Sequence, residues 1–395
     1  MQSIRTLLLI VAVHLPLTAA CVQGQDGSER QVVKLSGEGF GLEVFDNSPT
    51  ISQAIAINAS GQLLGEREVA DAAGTIFSPE FFFVDGQQSV TIPRLEGFSH
   101  IEMQALSDSG VAVGYASRRL RHPEGSLIGV VWDSGTNQLS RLPPLPGDVS
   151  SHGQDISSDG QLVTGYSTGP GRLRPCLWQW RAESKDWVPQ TLPVLLEYNP
   201  FLMSAGVLIS PNGQRIAACI TVEELPNNLF DSSLYMWEMQ GDEWLLKPLS
   251  DEQMHLKDLN DAGEMACALT VQNLRQPCHI DSRGKLTRIA LFPGDVSGEA
   301  RGIDAEGTVV GFSDAPHGPE GGPRAFVWRN GQTESLALPA SSVFSAAMSI
   351  NDRGQIAGML DVTLPAPEQT GDAAEEPQVK TLAFRWSPPA KQNKP

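Results

Sequence analysis

The chain has 395 residues and a formal charge of −18, and 41% of its residues are hydrophobic, a composition that excludes intrinsic disorder. The excess of Asp and Glu over Lys and Arg argues against nucleic acid or an anionic membrane surface as a general partner, because both would require cationic residues to neutralise phosphates. The 38 glycines and 28 prolines indicate many turns, which favours short strands over long helices.

The first twenty residues have the composition of a secretory signal peptide. Arg5 supplies a positive charge, residues 6–17 are largely apolar, and the small residues 18–20 follow. The apolar run is too short to span a membrane, and His14 and Pro16 interrupt it. We therefore expect an extracytoplasmic protein that is secreted, periplasmic or anchored at the cell envelope.

Cys21 follows this segment and is a candidate for lipidation. The sequence LTAAC (17–21) is similar to a lipobox, although Thr18 stands where an aliphatic residue is usual. An ordinary cleaved signal remains the alternative. The cysteine count favours the lipid anchor, because an exported protein rarely leaves one cysteine over, and lipidation of Cys21 would leave four. Lipidated Cys21 would be the only membrane tether.

The rest of the chain repeats one pattern seven times. Each copy has an apolar residue, small polar or Asx residues, a glycine, and an apolar stretch that often ends in glycine. The copies are INASGQLLG (57–65), LSDSGVAVG (106–114), ISSDGQLVTG (156–165), ISPNGQRIA (209–217), LNDAGEMAC (259–267), IDAEGTVVG (303–311) and INDRGQIAG (350–358). Their turn glycines are 44 to 53 residues apart, a period typical of propeller blades.

Each repeat divides into four predicted strands. The Asx-x-Gly turn joins strands one and two as a tight hairpin, because these residues tolerate positive φ. The third strand carries a tryptophan in five repeats, with valine or isoleucine in the other two, and the fourth is a short Leu-rich alternation. The third-strand positions are Val84, Trp132, Trp178, Trp237, Ile280, Trp328 and Trp386.

The two ends of the chain complement each other. Only nine residues follow Trp386, too few for a fourth strand, whereas FGLEVFDNSP (40–49) precedes the first repeat as an extra alternating segment. We therefore predict an all-β, seven-bladed β-propeller whose ring is closed by this N-terminal outer strand. The expected organisation is a signal peptide at 1–20, a linker at 21–31, the propeller at 32–388 and a tail at 389–395.

The repeat resembles that of the extracellular HAF-repeat proteins. The likeness is carried by SAAMSINDRGQIAG (345–358), RAFVW (324–328), LAFRW (382–386) and LPGDVSSHGQDI (145–156). Arg324 and Leu382 stand where the family has its eponymous histidine. The resemblance implies an exported, propeller-like fold, and it supplies no activity or functional residue, because the family has no settled one.

The motifs predict no metal site and no cofactor. The Asx-x-Gly turns lack the alternating carboxylates of a calcium loop, and they recur where a turn is needed in any case. The seven histidines show no HxH or HExxH spacing, and the chain has no CxxC, nucleophile elbow or phosphate-binding loop.

Cys267 and Cys278 lie on the second and third strands of one repeat, where a hairpin would place them opposite each other. In an exported protein this arrangement predicts a disulfide. The alternative is two buried, independent thiols, which cores accept readily.

Connections two-to-three and four-to-one lie on the same face of a propeller, which we call the loop face. Here these connections carry basic side chains and two copies of PGDVS, at 146–150 and 293–297. The cluster could bind an anionic glycan or a protein partner. The simpler interpretation, solvated loop charges, is favoured because loops collect such residues. The candidate residues are Arg118, Arg119, Arg121, His122, Arg172, Arg174, His317 and Arg324.

The sequence thus predicts an exported binding or scaffold propeller without a recognisable catalytic set. The alternative is a carbohydrate-active hydrolase or lyase that uses carboxylates at the propeller pore, since glycoside hydrolysis requires two carboxylates across a bound sugar.

Overall fold

The computed structural model is all-β in the part of the chain that it describes. The described residues are 18–23, 29–37, 40–46, 51–70, 77–118, 127–170, 172–193, 206–225, 229–252, 254–316, 322–339, 342–364 and 378–389. Within these ranges there is no helix long and apolar enough to cross a membrane.

Among the described residues, thirty strands form seven antiparallel sheets, and all sheets except the last have four strands. Three strands precede the first repeat: β1 (Thr18–Gln23), β2 (Glu29–Gly37) and β3 (Phe40–Asp46). Blade 1 comprises β4 (Ser52–Ile57), β5 (Leu63–Ala70), β6 (Phe77–Asp85) and β7 (Gln88–Thr91). Blade 2 comprises β8 (His100–Leu106), β9 (Val111–Ser117), β10 (Leu127–Asp133) and β11 (Gln138–Leu142). Blade 3 comprises β12 (Ser150–Ile156), β13 (Leu162–Gly169), β14 (Arg172–Arg181) and β15 (Asp186–Thr191).

The remaining blades follow the same order. Blade 4 comprises β16 (Val207–Ile209), β17 (Arg215–Leu225), β18 (Leu229–Gln240) and β19 (Glu243–Ser250). Blade 5 comprises β20 (Met254–Leu259), β21 (Met265–Val271), β22 (Leu274–Ile280) and β23 (Leu286–Arg288). Blade 6 comprises β24 (Ser297–Ile303), β25 (Val309–Asp314), β26 (Pro323–Arg329) and β27 (Gln332–Ser335). Blade 7 contains β28 (Ser345–Ile350), β29 (Ile356–Leu364) and β30 (Gln378–Ser387).

The predicted closure of the ring is confirmed. Strand β3 pairs antiparallel with β30, with Val44 opposite Phe384, and so completes blade 7 from the other end of the chain. Strands β2 and β1 then extend this sheet to six strands, although residues 21–31 were expected to form a linker. Strand β2 pairs with the outer edge of β3, whose backbone groups would otherwise be unpaired.

All seven turn glycines have φ between +69° and +84°, the left-handed region in which glycine alone is free of strain. The turns also join neighbouring blades, which the sequence did not predict. Nδ2 of Asn58 donates to the carbonyl of Ser107 in the next blade at 3.0 Å, and Nδ2 of Asn351 donates to the carbonyl of Asn58 at 2.8 Å. Asn260 bonds the carbonyl of Asp304 in the same way.

The inner, first strand of six blades contains a β-bulge. In blade 2 the register shifts between Met103 and Ala105, so that Gln104 is an extra residue. The bulge brings the inner strand against the second strand: a Cβ on Gly114 would lie 1.9 Å from the carbonyl oxygen of Glu102. A glycine is required at this point, and this explains the glycine that ends the repeated motif.

The hydrophobic core lies between adjacent blades. Trp178 in blade 3 packs with Val113 and Val131 of blade 2, and its Nε1 donates to the carbonyl of Pro143 at 2.7 Å. Trp237 repeats this contact one blade later, with the carbonyl of Pro193 as acceptor. Trp178 and Trp237 therefore fill the space between blades and satisfy their one polar atom at the connection from the preceding blade, whereas Nε1 of Trp132 donates to Asn137 in its own blade.

Replacing Asn351 with Ala should destabilise the ring at its closure. The side chain is buried. Its loss would remove the bond from Nδ2 to the carbonyl of Asn58 and would leave the backbone N–H groups of Arg353 and Gln355 without the Oδ1 that they bond. A buried polar group left without its partner costs about 1–3 kcal/mol. Urea denaturation followed by tryptophan fluorescence would measure the loss, with the exposed Gln332→Ala as control. Equal stability of the two variants would contradict a stabilising role for the turn asparagine.

Candidate ligand site in the central channel

A channel runs through the centre of the ring. Two cavities of about 490 Å³ each form its two ends. The first lies at the end of the inner strands where the Asx-x-Gly turns are found, and we call it the turn-face cavity. The second lies nearer the loop face, against blades 1 and 2, and we call it the loop-face cavity. Four residues line both cavities, so the two are continuous: Ile55, Gln104, Arg301 and Met348.

Among the residues that line the channel are the extra residues of the six bulges. They are Ile55, Gln104, Gln154, Lys257, Arg301 and Met348, and all six line the turn-face cavity. A bulge re-aims the side chain of its extra residue. Each of these residues stands six positions before its turn glycine. This position is the sequence signal that could have located the channel lining.

Blades 5 and 6 place a cationic cluster at the channel, and two of its members, Lys257 and Arg301, line the channel. Three cations surround the carboxylate of Glu299: Nη1 of Arg301 at 3.0 Å, Nζ of Lys257 at 3.4 Å and Nη1 of Arg275 at 3.5 Å. Burial opposes ionisation of Glu299, but these charges hold its pKa below the ordinary value. Burial, and then the charge of Arg301, lower the pKa of Lys257. The four side chains together carry two excess positive charges.

His255 borders this cluster without adding to its charge. Its Nε2 lies 3.3 Å from Oγ1 of Thr270. Burial, followed by the charges of Arg275 and Lys257, lowers its pKa. The imidazole is therefore neutral at neutral pH and can either donate or accept a hydrogen bond.

Blades 1 and 2 place two carboxylates in the loop-face cavity. Glu66 accepts a hydrogen bond from Nε2 of Gln53 at 2.8 Å. Glu102 accepts from the hydroxyl of Tyr115 and from Nε2 of Gln104. Burial raises the pKa of Glu66, and the nearby charge of Glu102 adds to this effect although the bond from Gln53 opposes it. Both glutamates line the cavity that Arg301 also lines.

An aromatic stack supports the carboxylate wall. The ring of His152 lies between Tyr115 and Tyr166, with centroid separations of 4.2 and 4.5 Å. Burial, together with the charge of Glu102, raises the pKa of Tyr166 to about 12. The stack fixes the ring of Tyr115, and this in turn fixes the hydroxyl that donates to Glu102.

The predicted loop-face cluster is only partly within the described residues. Arg119, Arg121, His122 and His317 lie outside them, as does the side chain of Arg172, which begins β14. Arg118 is exposed, and its Cζ lies 5.2 Å from the ring centroid of Phe98. The structure therefore describes three of the predicted side chains, namely Arg118, Arg174 and Arg324.

Two of these arginines are held by the PGDVS motifs. Arg174 bonds Asp148 at 2.7 Å, and Arg324 bonds Asp295 at 2.7 Å. The side chains of the two aspartates are 0% and 1% exposed, so each needs its cation, because an unpaired buried carboxylate is costly. A serine of the second strand, Ser167 or Ser313, also donates to each carboxylate. Both arginines are thus structural partners of a buried charge.

The described cysteines 176, 219, 267 and 278 are buried and free. The prediction that Cys267 and Cys278 face each other is confirmed by the register of β21 and β22. The predicted disulfide is absent from this structure: Sγ of Cys267 is directed at the carbonyl of Cys278, and Sγ of Cys278 at that of Gln276. Both thiols are therefore turned toward backbone acceptors. The side chain of Cys21 lies outside the described residues.

Metal-ligating side chains do not gather in the described part of the chain, where no three of His, Cys, Asp and Glu could hold an ion together. Two buried carboxyls of the turn-face cavity are occupied with backbone. Asp155 accepts from Ile156 and from Ile209 of the next blade, both at 2.8 Å. Asp258 does the same with Leu259 and Ile303. These aspartates connect blades rather than offer ligand oxygens.

No family model matches the chain, and no curated protein matches it in sequence. Among solved structures, it is similar to prolyl endopeptidases with a TM-score of 0.55 at 10% identity, over 84% of this chain and 46% of theirs. The β-propeller domain of the Trilobed protease from Pyrococcus furiosus gives 0.50 at 10% identity, over 84% and 93%. An oligogalacturonate lyase from Vibrio parahaemolyticus gives 0.50 at 10% identity, over 94% and 97%. These likenesses show the propeller fold alone.

The stability of the protein should fall as the pH rises through neutrality, in part because of Asp155. Burial raises its pKa to about 7 in the folded protein, from 3.8 without burial. The stabilisation is therefore fully present below pH 3.8 and is lost as the pH rises through about 7. Asp155→Asn, which cannot ionise, should flatten the fall in melting temperature from about pH 5 to about pH 8. The exposed Asp186→Asn is the control, and an unchanged slope for Asp155→Asn would refute the assignment.

Proposed function

We propose that this chain is an exported binding propeller that holds an anionic group of a small ligand in its central channel. The observation that carries this proposal is the cluster of Lys257, Arg275 and Arg301 around a single carboxylate. In a chain with a net charge of −18, a local cluster with excess positive charge beside a channel is useful for recognition.

The cationic cluster has more hydrogen-bond donors than Glu299 can accept. A lysine offers three N–H donors and an arginine five, whereas Glu299 can accept only some of them. Arg301 reaches both cavities, so its remaining donors face the channel. A ligand carboxylate or phosphate would form charge-assisted hydrogen bonds there, and these are about twice as strong as neutral ones. It would also relieve the mutual repulsion that lowers the pKa of Lys257.

The channel is a better candidate than the loop-face arginines on which the sequence focused attention. Arg174 and Arg324 are engaged by Asp148 and Asp295, so a ligand at either site would compete with a buried carboxylate. In contrast, the cations of the channel outnumber the one carboxylate that they share.

Export and family membership belong to the same proposal. They are supported by the N-terminal segment, by Cys21 in its lipobox-like context and by the repeats similar to those of HAF-repeat proteins. An extracytoplasmic binding protein could capture its ligand at the envelope, with lipidated Cys21 as the tether.

A carbohydrate-active enzyme is the second candidate, favoured by one observation. Glu66 and Glu102 line one cavity beside Tyr115, and carboxylate pairs perform glycoside hydrolysis. Of the two candidates, only the enzyme would convert its ligand into products. Incubation with acidic and neutral polysaccharides would yield new reducing ends through hydrolysis, or unsaturated sugars through elimination, only if the second candidate holds.

Arg301→Gln should weaken the binding of small anions by roughly tenfold to a hundredfold, because a charge-assisted hydrogen bond contributes about 1.5–3 kcal/mol. Isothermal titration of the mature chain with succinate, glucuronate and inorganic phosphate would measure the effect. Arg181→Gln, on the exposed end of β14, is the matched control. The proposal fails if no anion binds, or if both variants bind as the unmodified chain does.

Cys21→Ser should release the protein from the membrane fraction, because a thioether-linked lipid requires the cysteine. In cells that express the full chain, metabolic labelling with a radioactive fatty acid would detect the lipid, and fractionation would show whether the protein is in the membrane fraction. A protein that is exported but never labelled would identify an ordinary cleaved signal, and one that stays in the cytoplasm would refute export.

A further inference from the structure

The loop-face cavity contains charges of both signs on separate walls. Glu66 on β5 and Glu102 on β8 form the acidic wall, and Arg301 on β24 reaches the same cavity from blade 6. Blade 7 lies between the two walls and contributes Met348. The cavity therefore has a negatively charged wall from blades 1 and 2 and a positively charged wall from blade 6.

The acidic wall has no cation of its own among the described residues, since neither Glu66 nor Glu102 forms an ion pair there. Their hydrogen bonds come from neutral groups, namely Gln53, Gln104 and Tyr115. An ionised carboxylate can accept about four hydrogen bonds, so each glutamate keeps acceptor capacity. Two negative charges close enough to influence each other would be stabilised by a positive group placed between them.

Arg301 does not neutralise this wall, because it is already bonded to Glu299 at 3.0 Å. It belongs instead to the cationic cluster, which carries a surplus of positive charge and attracts an anion. A simple anion would satisfy only this end, and a simple cation only the other. One molecule that carries both charges would satisfy both ends at once.

The surface between the walls suits the uncharged middle of such a molecule. Ile55 and Met348 are apolar, and the amides of Gln53 and Gln104 can each donate or accept. This combination matches a peptide backbone, which alternates polar groups with short aliphatic segments. A volume of about 490 Å³ is within the range of pockets that hold small ligands.

The acidic wall is also held in place before any ligand arrives. The stack of Tyr115, His152 and Tyr166 fixes the tyrosine ring, and the tyrosine hydroxyl orients the carboxylate of Glu102. Preorganised acceptors lose little entropy on binding. The arrangement therefore favours recognition of a specific ammonium group over diffuse attraction of cations.

We infer that the ligand of the channel is a zwitterion of the short-peptide class, with its carboxylate at Arg301 and its ammonium at Glu66 and Glu102. This inference rests on the proposed function, because it uses the same cationic cluster to bind the anionic end. It adds the identity of the opposite end and assigns the two glutamates to binding rather than to turnover.

Three probes test the inference with the unmodified protein: triglycine, N-acetyl-triglycine, which lacks the ammonium, and triglycine amide, which lacks the carboxylate. We expect triglycine to bind at least tenfold more tightly than either blocked form in isothermal titration. N-acetyl-triglycine should still bind weakly at the cationic cluster.

The variant Glu66→Gln/Glu102→Gln should lower the affinity for triglycine about tenfold and leave that for N-acetyl-triglycine unchanged. The exposed Glu183→Gln is the matched control, and far-ultraviolet circular dichroism would verify folding. The comparison of probes needs no variant, so it remains decisive if the double substitution unfolds the protein.

Two results would separate the inference from the function on which it rests. If N-acetyl-triglycine bound as tightly as triglycine, or if the double variant kept its affinity for triglycine, the zwitterion would be excluded and the anion site would stand. If neither the peptides nor succinate, glucuronate or phosphate bound, both the inference and the proposed function would be overturned.

Discussion

In blades 2, 3, 6 and 7 the inner strand comes so close to the second strand that no side chain fits between them. At Gly114 an added Cβ would lie 1.9 Å from a carbonyl oxygen, and Gly165, Gly311 and Gly358 are in the same situation. The bulge opposite each glycine turns its extra residue toward the axis of the ring. These glycines permit the close approach of the two strands, and the bulge that places side chains in the channel depends on it. The bulge residue itself is free to vary, from isoleucine to arginine.

Adjacent blades of the ring are joined by hydrogen bonds of polar side chains as well as by the hydrophobic core between them. Asparagines of the turns and the aspartates 155 and 258 form hydrogen bonds to backbone groups of the next blade. Each of these bonds links a side chain of one blade to the backbone of the next at a buried junction. The asparagines that form the hairpin turns thus also determine how neighbouring blades are joined.

The sequence predicted the architecture well, because the signals for it repeat. Seven glycines gave the blade count, the tryptophans located the third strands, and an extra strand at the N-terminal end matched by a missing fourth strand at the other end predicted closure. The cationic cluster was missed, because Lys257, Arg275, Arg301 and Glu299 come from two different repeats and meet only when the blades pack together. No single segment contains their pattern.

The loop-face arginines show a different limit. They were grouped by proximity in sequence and by charge, whereas their partners are the aspartates of PGDVS, about 26 to 29 residues earlier. The paired occurrence of PGDVS with a downstream arginine, in repeats three and six, was available in the sequence. Read as a charge pair, it would have identified Arg174 and Arg324 as structural.

The pairing of β3 with β30 has a consequence for the order of events in folding. Arg385 and Glu43, which bond across this pair, are 342 positions apart. During synthesis β3 emerges first and must wait for the last strand, while six blades can already assemble from contiguous segments. Closure is then a single late step that joins segments distant in sequence, and contacts between such segments form late and slowly. Until that step the junction between blades 7 and 1 lies open, and the channel has no complete wall on the side where Ile55 and Met348 later meet.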